Sequence, residues 1–141
     1  MTKREQIMVE VQARLAAVAA VTGCTGAYRC RADQYDRDEA PAITLSWITE
    51  DARSIVVPFT EKTLTIEVGV YTRGTGPDTL GDPIIDAVHK AIFADRTLAG
   101  LAIDVTEAGD TLDVSAADAT AAMTVKQYAI WYRHTMEDMS A

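Results

Sequence analysis

The clearest hydrophobic pattern in the chain lies between residues 63 and 100. Leu64, Ile66, Val68 and Val70 alternate with Thr63, Thr65, Glu67 and Gly69, the two-residue period of a strand buried on one face. The strand is expected over residues 62–73. Gly74-Thr75-Gly76-Pro77-Asp78 breaks the alternation, and Leu80, Ile84, Val88 and Ile92 then recur at helical spacing. Asp78 can cap this helix, or Asp82 can, with Pro83 as its first residue. Asp86 stands four residues before Lys90, the favourable order for a helical ion pair.

The N-terminal segment predicts a helix over residues 2–20. Thr2 and Glu5 form a capping box, and Ile7, Val11, Leu15 and Val18 make one apolar stripe that Met8 and Ala19 widen. Lys3, Arg4, Glu10 and Arg14 are expected on the wet side. Two glycines mark a turn over 21–27. A short strand over 28–31 is expected to turn Tyr28 and Cys30 inward and Arg29 and Arg31 outward. A charged loop follows over 32–41. Residues 42–49 alternate again, with Ile43, Leu45 and Trp47 on one side, and 51–59 add a short edge strand ended by Pro58.

Beyond Gly100, Leu101, Ile103 and Val105 alternate with polar or small residues. Glu107-Ala108-Gly109-Asp110 reads as a turn, Leu112 and Val114 as a short return strand, and 116–122 as a connector. The last strand, over 124–134, is apolar on both sides. Val125, Ala129 and Trp131 share one face, and Tyr128, Ile130 and Tyr132 share the other. Such a strand is normally covered twice. Two helices cover one face; the hairpin arm or a neighbouring subunit must cover the second.

Bulk properties narrow the classes. A chain of 141 residues is one domain, spanning 1–141, and large enough to bury a core without a disulfide or metal. Thirteen basic against 21 acidic side chains give a net charge of -8, which disfavours a surface that grips nucleic acid. No basic residue falls between Arg96 and Lys126. Cys24 and Cys30 are too few for a disulfide framework, so a reduced, cytoplasmic setting and a buried Cys30 are expected. Residues 15–24 mimic a lipoprotein leader, but Glu5, Glu10 and Arg14 interrupt the segment upstream and the stretch reads as a helix end and turn. No run reaches the length of a membrane span.

Reaction chemistry is missing from the pattern. His89 borders an apolar helical stripe and reads as structural, and His134 as solvated. No serine or cysteine sits in a nucleophile elbow. Asp104, Glu107 and Asp110 lack the calcium-loop spacing, and Gly74-Thr75-Gly76 lacks the lysine of a phosphate loop. No catalytic, cofactor or metal residue is assigned.

The order of elements resembles the tail terminator proteins of long-tailed bacteriophages, the family of the lambda tail terminator and related tail-completion proteins. The likeness runs through Tyr28-Arg29-Cys30-Arg31, Ala40-Pro41-Ala42-Ile43-Thr44-Leu45, the 64–73 strand with its glycine turn, the 95–101 segment and Tyr128-Ala129-Ile130-Trp131-Tyr132-Arg133. It is a likeness of topology and hydrophobic rhythm over nearly the whole chain, with no single diagnostic motif.

The resemblance implies an α+β fold: a mixed, mostly antiparallel sheet of four or more strands with two helices packed on one face. It implies a structural virion protein and not an enzyme. Six copies would close into a ring on the tail tube, end its polymerisation and present a head-joining surface, with DNA passing through unbound. Tail tube protein and a head-completion or stopper protein are the implied partners. Tyr35, Trp47, Arg73, Tyr128, Ile130 and Tyr132 are the expected interface groups, because aromatics and arginine anchor interfaces. Asp104, Glu107, Asp110 and Asp113 are the expected acidic lumen or loop. A head-side neck or stopper protein is the neighbouring alternative. An alternative of another class, a small ligand-binding domain or enzyme, requires a deep pocket with converging polar groups.

Overall fold

Two helices lie against one face of a five-stranded sheet in the computed structural model, which describes residues 1–31, 35–114 and 120–141. The expected α+β architecture is therefore observed. Part of the 32–41 loop and most of the 116–122 connector lie outside the described residues.

The first helix, α1 (Lys3–Thr22), starts where the sequence places it. Thr2 accepts from the Glu5 amide at 3.2 Å. Only that half of the capping box forms, because the Glu5 carboxylate takes both guanidinium nitrogens of Arg29 at 2.6 and 2.7 Å. Gly23 ends the helix at φ 76°, a left-handed conformation that costs glycine little. Ile7, Met8, Val11, Leu15, Val18 and Ala19 are all buried.

Arg14 departs from its expected wet position. Its Nη1 donates to the carbonyls of Ala91, Ile92 and Asp95 at 3.2, 3.3 and 3.0 Å. These lie at the end of α2 (Pro77–Phe93), so α1 supplies the cation that the negative end of α2 favours. The start of α2 differs from both expected caps. Gly76 occupies the cap position and Pro77 opens the helix, leaving Asp78 in the first turn and Asp82 inside. Fixed φ makes proline suited to the first helical position. Ile84, Val88 and Ile92 are buried, while Leu80 stays 44% exposed. At Gly81 an added Cβ would stand 3.1 Å from Thr124 Oγ1, so glycine lets α2 approach the sheet closely.

The sheet contains β1 (Ala27–Arg29), β2 (Ala42–Val56), β3 (Phe59–Arg73), β4 (Asp104–Val114) and β5 (Ala121–Thr135). Their spatial order is β1-β2-β3-β5-β4, with β1 parallel to β2 and every other pair antiparallel. Three expectations change here. The region 42–56 is one long strand, and a bulge between Trp47 and Thr49 resets its alternation. Residues 107–110 form a bulge inside a continuous β4, not a turn, because β5 pairs along the whole strand. Cys30 is exposed with φ 52°, beyond the end of β1, instead of facing inward.

Register assigns the faces. Leu64, Ile66 and Val68 lie opposite Ile130, Tyr128 and Lys126, and Val68 and Val70 lie opposite Leu45 and Ile43. With the buried stripes of both helices these residues form the core. Each fully buried aliphatic contributes about 1.5–3 kcal/mol. The Asp86–Lys90 pair, formed at 2.7 Å on the surface, contributes only a few tenths, so packing and not charge holds the helices.

Candidate functional site

The face of the sheet opposite the helices is the candidate assembly surface. Alternation along β3 and β5 places Thr63, Thr65, Glu67, Gly69 and Tyr71 there, beside Met123, Val125, Gln127, Ala129, Trp131 and Arg133. No described helix covers it. Val125 and Ala129 are half-buried among their neighbours, and Trp131 is 40% exposed.

One end of this face is roofed by the chain itself. Tyr35 stacks on Tyr71 with ring centres 5.2 Å apart and meets Tyr28 edge-on at 5.7 Å. Arg31 lies over the Tyr35 ring at 4.2 Å and pairs with both carboxylate oxygens of Glu39. That hydrogen bonding pushes the Glu39 carboxyl down to about 2. Arg73 donates its Nε to the Tyr71 hydroxyl at 3.3 Å. Tyr35 and Arg73, two of the expected interface groups, thus converge on Tyr71. Trp47 lies apart, 40% exposed on the helix side of β2 with the Arg4 guanidinium 4.6 Å over its ring.

The remaining three interface expectations require correction. Tyr128, Ile130 and Tyr132 are 0%, 0% and 1% exposed, covered by the helices of their own chain. They are core residues and offer no surface to a neighbour. The tyrosine hydroxyls find partners: Tyr128 meets His89 Nδ1 at 3.1 Å, and Tyr132 donates to Glu50 at 2.9 Å. Burial pushes both phenols up, reinforced at Tyr132 by the Glu50 carboxylate. The apolar surface left open on β5 belongs to Trp131, one residue away on the other face. Trp131 was visible in the sequence, but only the pairing of Leu64 with Ile130 tells which face the helices take.

The four expected wall acids do not form a uniform acidic strip. Lys126, nearly buried, binds Glu107 at 2.6 Å and Asp110 at 3.0 Å. Burial works against its charge, yet the two carboxylates together hold its pKa above the ordinary value. The Lys126 hydrogen bond correspondingly lowers Glu107. Asp104 pairs with Arg96 at 2.7 Å, and Asp113 stands exposed with it on the face away from the helices. Two cations therefore pair with three of the four acids.

Two hollows add little chemistry. One of about 360 Å³ is lined by Thr22, Pro41, Thr72, Arg73, Leu80, Pro83 and Ile84, mostly apolar. The Thr72 hydroxyl in it is already bonded to the Pro77 carbonyl at 2.5 Å. A smaller one, about 170 Å³, lies on the open face between Asp51, Arg53, Glu61, Thr63 and Trp131. Among the described residues no cluster of three His, Cys, Asp or Glu is placed to hold a metal, and no helix is long and apolar enough to cross a membrane. No known family's sequence profile matches the chain, and no curated protein matches it.

Proposed function

We propose that the chain is a structural subunit of a bacteriophage tail, a terminator whose copies close into a ring on the tail tube. The ring ends tube polymerisation and presents the surface to which the head-completion protein joins. The reading rests on the likeness in element order and hydrophobic rhythm. The observation that carries it is the one-sided sheet: three strands of 15 residues have the two α-helices on one face only, and the other face carries a tryptophan that is 40% exposed. A sheet face without a covering layer that carries exposed apolar groups can serve as an association surface. In this reading six copies meet head to tail, the closed ring leaves no free contact in its plane, and its far side offers no tube-type surface. The net charge of -8 lets DNA pass the ring without adhering. The work is geometric, with no bond made or broken and no cofactor needed, and its place is the virion.

Deleting the gene in its phage and measuring tails by microscopy tests the reading. Overlong tubes without heads are expected. Tails of normal length would overturn it.

A further inference from the structure

We propose that copies join edge to edge, β4 of one copy adding as a strand to the outer side of β2 in the next. The inference rests on the ring reading above and names the contact that builds it.

The sheet has two margins, and the described residues leave both partly open. On one margin, β1 pairs with β2 only at Ile43, Thr44 and Leu45. Cys30 makes the last bond there, donating its amide to the Leu45 carbonyl at 2.8 Å from a left-handed backbone at φ 52°. Along residues 46–56 no described strand pairs with the outer side of β2. On the other margin, β4 has β5 on one side and no described strand on the other, and all of residues 106–114 are exposed. Unpaired strand edges are templates for another strand. The two open stretches match in length, since 46–56 and the 11-residue β4 span equal runs.

β1 is a poorer partner because the chain blunts it. It has three residues, Gln12 Nε2 occupies the Ala27 carbonyl at 2.6 Å, and Arg29 is folded onto Glu5. Among the described residues β4 is covered so only at its start, where Arg96 donates to the Val105 carbonyl at 3.3 Å and the Val105 amide donates to Asp104 at 2.9 Å, and 106–114 remain open, as does 46–56 of β2.

Strand direction favours the β2–β4 contact. If β2 points up, β3 points down, β5 up and β4 down. Rotation about an axis parallel to the strands keeps these senses, so β4 of one copy meets the next β2 antiparallel. Antiparallel ladders are the more stable and the more common kind. Two different edges meet, making the contact heterologous, the kind that closes into a ring when the rotation allows.

Side chains select the same pairing. β4 holds four acids and no base, so β4 against its own copy would set like charges opposite one another. The open part of β2 carries Arg53, its one base, exposed beside Asp51 on the face that Asp104 and Asp113 share, so β2 can offer β4 a cation that a second β4 cannot. Both edges also show apolar groups that a neighbour would cover: Leu112 and Val114 on β4, Trp47 and Ile48 on β2, all 40–50% exposed.

Hydrogen–deuterium exchange on the full chain, at concentrations spanning monomer to assembly with mass measured in parallel, tests this. Assembly should slow backbone exchange by roughly tenfold or more in both 46–56 and 104–114. Assembly that leaves either segment unprotected overturns the edge pairing while the ring reading stands. A chain that stays monomeric throughout overturns both.

Discussion

The Tyr132 hydroxyl donates to Glu50 Oε2 at 2.9 Å, while Lys62 reaches the other oxygen of the same carboxylate at 3.1 Å. The Glu50 and Lys62 side chains are 8% and 12% exposed, and Arg4 of α1 approaches Glu50 at 3.6 Å. This network ties the start of α1 to the middle of β2, the start of β3 and the end of β5. The bulge at Ile48 is what turns Glu50 toward the helix side, opposite Leu64. Removing the acid alone leaves a lysine nearly buried without a partner. Glu50→Ala should therefore cost about 3 kcal/mol in urea unfolding, within the range for breaking a buried pair. Glu50→Leu combined with Lys62→Met should recover most of that loss, since both desolvated charges go together. Tyr132→Phe should cost about 1–2 kcal/mol.

Neighbouring residues on β5 should separate folding from assembly. Ile130 is fully buried, and Ile130→Ala should destabilise the chain by about 2–5 kcal/mol. Trp131 lies on the open face, 40% exposed, and Trp131→Ser should cost about 1–3 kcal/mol through the part of the ring that is buried, leaving a folded chain. Under the ring reading Trp131→Ser reduces assembly, measured by native mass spectrometry. A Trp131→Ser protein that assembles as well as the parent would remove the open face from the interface.

What the sequence revealed and what it hid divide along range. The α1 stripe, the alternation of β3 and the Ile84–Val88–Ile92 rhythm are local patterns, and each is found where expected. The fold class is legible for the same reason. Facing is not local: β5 is apolar on both sides, and only its register with β3 sends Tyr128, Ile130 and Tyr132 under the helices. The β4 bulge is hidden because glycine serves a turn and a bulge alike: Gly109, at φ 139°, suggests a turn in the sequence and lies in a bulge in β4, while the β2 bulge at Ile48 carries no glycine to mark it. The cross-helix role of Arg14 spans 77 to 81 residues of sequence, beyond any periodicity.

That cross-helix contact is testable. Arg14 is 15% exposed and also pairs with Glu10 at 3.0 Å. Replacing it by alanine strips donors from three carbonyls at the end of α2. Hydrogen bonds from a charged group are worth about 1.5–3 kcal/mol, and Arg14→Ala should lose that much in thermal unfolding. Arg14→Lys should recover only part, because a single ammonium cannot replace the spread of the guanidinium donors. Equal stability of Arg14→Ala and the parent would show the contact to be idle.

Gly69 meets its neighbours on the open face more tightly than any turn glycine here. A Cβ added there would lie 2.7 Å from Thr44 Cγ2 and 2.8 Å from Met123 Sδ. Methionine can swing aside, but a branched threonine in a strand has little freedom. Gly69→Ala should therefore cost about 1–3 kcal/mol by overpacking. Thr44→Ser, which deletes the offending methyl, should relieve most of it. Failure of that rescue would assign the cost to Met123, whose sulfur stands 2.8 Å from the added carbon.

Acid should weaken the fold through its depressed carboxyls. Arg29 lowers Glu5, Arg31 lowers Glu39, and hydrogen bonds from Thr97 and from the Ala99 amide lower Asp95. A carboxyl held below its unfolded value binds fewer protons in the folded chain than in the unfolded one, so stability rises with pH across the gap. For Glu39 the gap runs from the ordinary 4.5 down to about 2. Its contribution is complete above 4.5 and disappears as pH falls through about 2. Urea midpoints measured down this range should fall steadily, and Glu39→Gln should flatten the curve while lowering its plateau at neutral pH. A parent curve that stays level to pH 2 would mean that Arg31 and Glu39 are not paired in solution.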